Sequence, residues 1–524
     1  MERVVRPAIA GALLTAVLLL GSSPPAFAHA SLEASTPAAN SVLEASPPAI
    51  VLDFDAAIEV AVASVELFDG AGNAIAVGSP QPGNDETIVT SALPALADGL
   101  YAVTWRVASA DGHPIEGSFS FQIGTATVDG SGDDLLARVR SGADHSSDRV
   151  QWAYGMARFL SVGGAIALIG VGLWLQGSIS RRWWAIASSV FLFGTFAAFA
   201  LFGAHATGGT LTDALDPSVW REVGSIDTGR ALLLRGAFAA TLLVLSTRWS
   251  HRQHRWWRGA AAVSSVLALA TFSLAGHPSS LSPRVLWFAV DFVHLAATVV
   301  WIGGLLALLL APDGQIARRV STASAVSVPV IVATGIAQAW KLAGGFDDVA
   351  STNWGRVLLV KVTLVVILLA VAAVSRWLLL NDGSESIRRT VVVEAMIGVA
   401  VIGLAAGMVG LSPTPVVAAQ PFAAQLSSSG LIVDVSLGPG VVGGNEVHVI
   451  ITPPGGSIVP VVAAAARVSL AGDVPVAPVQ LVSEGPNHYS GFVAFPQAGE
   501  WTLDIIIEVT AGETVLLTAT VPIP

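Results

Sequence analysis

"VLWFAVDFVHLAATVVWIGGLLALLL", residues 285–310, is apolar from end to end except for Asp291 and His294. A helix needs about 20 residues to cross a hydrocarbon layer of about 30 Å, and this run is long enough. Asp291 and His294 are three positions apart, so they share one helical face. Ionisable groups are expensive inside a bilayer, which marks both as functional candidates. The stretch predicts a membrane helix that carries chemistry.

Seven further apolar runs surround it, near 152–175, 183–204, 228–247, 259–275, 320–340, 355–379 and 390–411. Composition agrees: 53% of the 524 residues are hydrophobic and 12% are charged, against about 25% charged in ordinary soluble domains. Alternate loops and helix ends carry Arg181, Arg182, Arg248, Arg252, Arg255, Arg258, Arg318, Arg319, Arg376, Arg388 and Arg389. The opposite loops hold only Arg221, Arg284 and Lys341, among several acidic residues. Basic loops stay in the cytoplasm, so the eight helices of 151–411 begin and end outside. Gly303 and Gly304 of "WIGGL" are placed for close helix packing.

The flanks read differently. Residues 1–28 carry Arg3 and Arg6, a short apolar core and "AFA", the pattern of a secretory signal. Residues 29–124 contain alternating runs such as "AIVLDFD", "YAVTWRV" and "GSFSFQIG", which predict an external β-sandwich. Residues 125–150 read as a polar linker, and 412–425, with Pro413 and Pro415, as a second. Residues 426–524 alternate again ("LIVDVSL", "WTLDIIIEV"), predicting a second external β-sandwich. The expected architecture is a multidomain membrane protein, a sandwich on either side of an eight-helix bundle.

Cleavage after Ala28 makes His29 the first residue. Its α-amine and Nδ1 can then close a six-membered ring on one metal ion, and the amine loses its proton readily, with a pKa near 8. Two such nitrogens suit Cu(II), which favours tetragonal nitrogen and oxygen ligands. The other histidine of 29–124 is His113, in "SADGHPIEG", with Asp111 two residues before it. On an extended segment those two share a face, giving two imidazoles, an amine and a carboxylate. Cu(I) prefers sulfur, and residues 29–150 contain neither Met nor Cys. The chain has no cysteine at all, which excludes disulfides and thiolate sites. No basic-aromatic run points to nucleic acid, and no phosphate loop points to an ATP-driven pump.

"HASLEASTPAANSVLEASPPAIVLDF" and "GLYAVTWRVASADGHPIEGSFSFQIG" resemble the CopC family of bacterial copper-binding domains across nearly all of 29–124. "DFVHLAATVVWIGGL" and "WGRVLLVKVTLVVILLAV" resemble the CopD membrane domain often fused behind it, and the last domain is similar to YtkA-like domains. The resemblance implies a Cu(II) site from the N-terminal histidine and an Asp-x-His pair, here His29, Asp111 and His113. It also implies a glutamate in an "FSE" stretch. This chain has Phe54-Asp55-Ala56 instead, so the fourth ligand stays open, with Asp55 or Glu59 as substitutes.

Within the bundle, His205, His277, Met156 and Met408 fall near the same outer level as Asp291 and His294, a candidate copper-accepting layer. Lys361 could pair with Asp291. His251 and His254 read as part of a solvated basic loop, and His448 and His488 as separate surface residues. The expected function is copper homeostasis at the bacterial plasma membrane: capture of Cu(II) outside, transfer to the bundle, and import. The expected partners are copper, the lipid bilayer and other copper-handling proteins, and no catalysis is expected. A copper-responsive sensor or assembly protein, and a histidine-brace monooxygenase, are the competing readings.

Overall fold

The structure, a computed structural model, describes residues 32–37, 39, 41–54, 56–109, 112–124, 132–142, 146–175, 178–276, 281–343, 349–380, 384–408, 411, 422–428, 430–438, 440, 443–452, 461–470, 477–495, 499–510 and 513–523. The predicted signal lies outside them.

The N-terminal unit contains β1 (Leu32–Thr36), β2 (Val42–Leu43), β3 (Ala49–Phe54), β4 (Ile58–Asp69), β5 (Ala74–Ile75), β6 (Gln81–Pro82), β7 (Ile88–Ala92), β8 (Gly99–Ser109) and β9 (Pro114–Ile123). They form two sheets, β1-β3-β7-β6 and β2-β9-β8-β4-β5, a β-sandwich. Alternation puts Ile50, Leu52 and Phe54 of β3 against Val103, Trp105 and Val107 of β8 in one core. Phe54 meets Trp105 edge-on at 5.2 Å. β4 carries an irregularity between Glu59 and Ser64. Such bulges re-aim side chains, and this one turns Val62 out of the sandwich core and into a different one.

Within the stretch read as a linker, α1 (Gly132–Gly142) is a helix whose Leu135 and Leu136 pack against Ala102. Its apolar residues are few and lie among Gly, Ser and Asp, a composition that reads as linker.

The bundle follows: α2 (Ser146–Ala165, continued through a π turn, Ile166–Gly170, to Val171–Trp174), α3 (Arg181–Thr207), α4 (Pro217–Ser225), α5 (Asp227–Thr247), α6 (Arg255–Leu274), α7 (Arg284–Leu310), α8 (Gly314–Ala343), α9 (Asn353–Leu380) and α10 (Ser384–Gly407). Among the described residues eight helices are long and apolar enough to cross a membrane; the short α4 is not one of them. The spans match the eight predicted runs, including the short fourth, at Arg255–Leu274. The ends are set by local chemistry. Ser180 caps α3 by accepting from the Trp183 N–H at 3.1 Å, and Gly208 ends it at φ +75°. Large apolar side chains such as Phe193, Val366 and Trp377 stay uncovered by protein, as a lipid-facing surface requires.

The close packing expected of "WIGGL" is present. A Cβ on Gly170, in the π turn, would lie 2.6 Å from Gly303 Cα and from the Val299 carbonyl oxygen. The backbones of α2 and α7 therefore touch where neither residue has a side chain. Gly303→Val should unseat this crossing and cost at least about 1–3 kcal/mol by overpacking. Thermal unfolding in detergent should show a lowered midpoint.

The C-terminal unit contains β10 (Phe422–Ser428), β11 (Leu431–Gly438), β12 (Gly443–Thr452), β13 (Ala463–Leu470), β14 (Ala477–Gly485), β15 (His488–Phe495), β16 (Gly499–Thr510) and β17 (Glu513–Ile523). The strands run in one continuous order, β10-β11-β12-β15-β14-β13-β16-β17. β13 pairs with both β14 and β16, which joins the two halves into one sheet. β10 also contacts β17, so the sheet curls toward a barrel around Val433, Val449, Leu503 and Ile505.

Candidate metal centre

The "DGH" stretch forms the connection between β8 and β9. Ser109 N–H donates to the His113 carbonyl at 2.9 Å and Gly112 N–H to the Ser109 carbonyl at 2.8 Å. Gly112 sits at φ +82°, a conformation that favours glycine. Gly112 thus turns the chain just before β9, and the expectation that Asp111 and His113 share a face falls on a residue outside the described ones. Asp111, His29, Asp55 and His277 lie outside the described residues. Among the described residues no three His, Asp or Glu side chains converge on a metal position.

His113 is described, and it is 4% exposed. The turn is seated on the bundle. A Cβ on Gly112 would lie 2.9 Å from Thr228 Oγ1 of α5 and 3.5 Å from Phe202 of α3. Val62 and Ala108 share one apolar core with Tyr154, Phe199, Phe202, Val223 and Ile226. Arg106 ties the two parts again: it pairs with Glu116 at 2.9 Å and donates to the His205 carbonyl at 3.0 Å.

This seating brings together two of the predicted residues. His113 lies within electrostatic reach of His205 on α3. His205 is 3% exposed, its ring stacks on Tyr154 at 4.4 Å, and its buried Nε2 makes no hydrogen bond. Arg158 is close enough to act on both His205 and Asp291.

The other bundle residues do not gather at one point. Asp291 accepts from Ser273 Oγ of α6 at 2.6 Å, so its partner is Ser273 and not Lys361. His294 Nδ1 meets Thr334 Oγ1 of α8 at 2.8 Å. The two share α7 but address different neighbours. Met408 packs among Trp287, Leu342 and Trp354, whereas Met156 is 57% exposed on the outside of the bundle. Arg235 of α5 is buried; it donates to Thr271 Oγ1 and O and lies 3.6 Å over the Phe272 ring.

Glu59, weighed only as a substitute ligand, has a different post. Its carboxylate accepts the Asp227 backbone N–H at the start of α5, where the N-cap residue Ile226 supplies no side-chain hydrogen bond. Burial pushes Glu59 above the ordinary carboxyl value of 4.5, and the Asp227 hydrogen bond opposes only part of that. A raised carboxyl stabilises the docked state fully below 4.5, and that contribution is lost as pH rises through the raised value. Glu59→Gln should therefore flatten the acid-side dependence of the unfolding midpoint on pH.

Residues 32–124 match the CopC domain family, 147–282 the copper resistance protein D-like N-terminal domain, and 314–408 the copper resistance protein D family. The chain is 26% identical over 472 residues to the copper transport protein CutJ of Bacillus subtilis (strain 168), covering 82% of this chain and 83% of that one. It is 31% identical over 120 residues to copper resistance protein C of Escherichia coli, covering 21% of this chain and 94% of that protein. The crystal structure of CopC from Methylosinus trichosporium OB3b is 32% identical, covering 18% of this chain and 93% of that one, with a TM-score of 0.18. With a CopC domain and both CopD segments on one multi-pass polypeptide, this chain belongs to the CopC–CopD copper resistance and transport family.

Proposed function

We propose that the N-terminal domain binds Cu(II) outside the cell through His29, Asp111 and His113, and passes copper to the bundle at His205 for import. Copper here is cargo. The donor set of the domain fits it: imidazole, amine and carboxylate with no sulfur, as Cu(II) favours. The arginine-rich loops support an extracytoplasmic position for both β domains.

The observation that supports this reading most directly is the seating of the His113 turn on the end of α3. It supports the reading because His113 lies within electrostatic reach of His205, whose Nε2 is buried and without a hydrogen bond. An unpartnered buried nitrogen costs free energy, and a passing metal ion would use it. Asp291, linked to His205 through the field of Arg158, would be the next stop.

The test is total cell copper, by mass spectrometry, in a deletion strain complemented with wild type or with His205→Ala. Wild type should restore accumulation, and His205→Ala should fall to the deletion level. Equal copper in all three strains would sink the import reading and favour a sensor or assembly role.

A further inference from the structure

β12 and β15 pair so that His448 lies opposite Ser490, and Ile450 opposite His488. Opposed residues in an antiparallel pair share a face, as do residues two apart on one strand. Glu446, His448 and His488 therefore lie on the same face of the C-terminal sheet, although forty positions separate the histidines in sequence. The opposite face buries Val447, Val449 and Ile451 in the core.

His448 Nδ1 faces His488 Nε2 at 3.4 Å. That is long for an N–H donor, whose bonds cluster at about 2.7–3.2 Å. It fits two nitrogens on one ion: with bonds of about 2.0 Å, ligand nitrogens lie about 2.8 Å apart at a right angle and about 4 Å apart when opposed. On the far side of the same ring, Glu446 Oε1 is 3.3 Å from His448 Nε2. The two make no hydrogen bond across that distance, but a carboxylate beside the outer nitrogen of a ligating histidine is the usual outer arrangement of a metal site, and Nδ1 is the nitrogen that faces His488. Glu446 Oε2 is buried and makes no hydrogen bond, a negative group short of positive partners. His448 also lines an open groove with Asp434 and Ser436, so an ion can reach it from solvent.

From this we infer that the C-terminal domain carries a Cu(II) site of its own, with His448 Nδ1 and His488 Nε2 as ligands, Glu446 as the orienting carboxylate and water completing the coordination. Two imidazoles and water place it with the borderline divalent ions, among which Cu(II) binds most tightly. The strand that carries His448 also contacts β1 of the N-terminal domain.

The full chain in detergent is titrated with Cu(II), and bound metal is counted by mass spectrometry and characterised by EPR. Four versions are compared: wild type, His113→Ala, His448→Gln with His488→Gln, and all three changes together. The paired Gln substitutions keep a polar sheet face. They should remove one bound Cu(II) per chain, with its two-imidazole nitrogen signature, whether or not His113 is present. Glu446→Gln should weaken that same ion by about tenfold to a hundredfold. If metal content and nitrogen splitting are unchanged by the paired Gln substitutions, the C-terminal site is overturned. Failure of the N-terminal reading shows separately, as no loss of copper on His113→Ala.

Discussion

Adding a single residue ahead of His29 should lower the Cu(II) affinity of the exported chain by at least about a hundredfold, or about 2.8 kcal/mol. The proposed site draws two nitrogens from one residue, the α-amine and the imidazole. An extra residue converts that amine to an amide, which neither carries a free lone pair nor sheds its proton easily. The chelate ring is then lost while the β-sandwich is untouched. Cu(II) titration of the exported protein, with N-terminal sequencing to establish where it begins, reads the effect. His113→Ala should produce a loss of similar size by removing the second imidazole. Unchanged affinity in both variants would exclude His29 and His113 as ligands.

Val62→Asp should abolish copper uptake and leave Cu(II) binding at the N-terminal site within a few-fold of wild type. Val62 is 1% exposed and packs with Phe202, Val223 and Ile226 of the bundle. Burying an unpaired carboxylate in such a core costs several kcal/mol, so the domain leaves its seat before it accepts the charge. His113 then no longer sits over the end of α3. Val62→Ala, which only opens a small cavity, should retain most uptake. Binding that persists while cell copper falls to the deletion level would identify seating as a step in transfer. Normal uptake by Val62→Asp would show that copper reaches the bundle without it.

The membrane helices were legible in the sequence because length and hydropathy alone decide them: all eight spans fall on the predicted runs. The sequence also marks His113 as a candidate from its Asp-x-His setting, and the structure buries it. What was not legible depends on partners distant in the chain. Gly112 adopts φ +82°, an angle that the sequence does not announce. The irregularity after Glu59 turns Val62 out of the sandwich, and nothing in "IEVAVASVEL" announces it. Glu59 caps a helix that begins at Asp227, a pairing only the docked arrangement creates. His448 and His488 look unrelated until strand register sets them face to face. The burial of Arg235 is not legible either, because sequence shows its charge but not the Thr271 and Phe272 that enclose it.

The core shared by Val62, Ala108 and the helix residues around Phe202 has a consequence for modularity. A domain border drawn along the sequence does not correspond to a border in space. Cut free, this sandwich would present to water an apolar patch that it now buries against α3 and α4. A freestanding relative transplanted into its place would lack the complementary surface unless it carried small apolar residues at the same two strands. Fusion of the two halves on one polypeptide is then a structural obligation, and exchange between relatives would succeed only when the seat and its occupant move together.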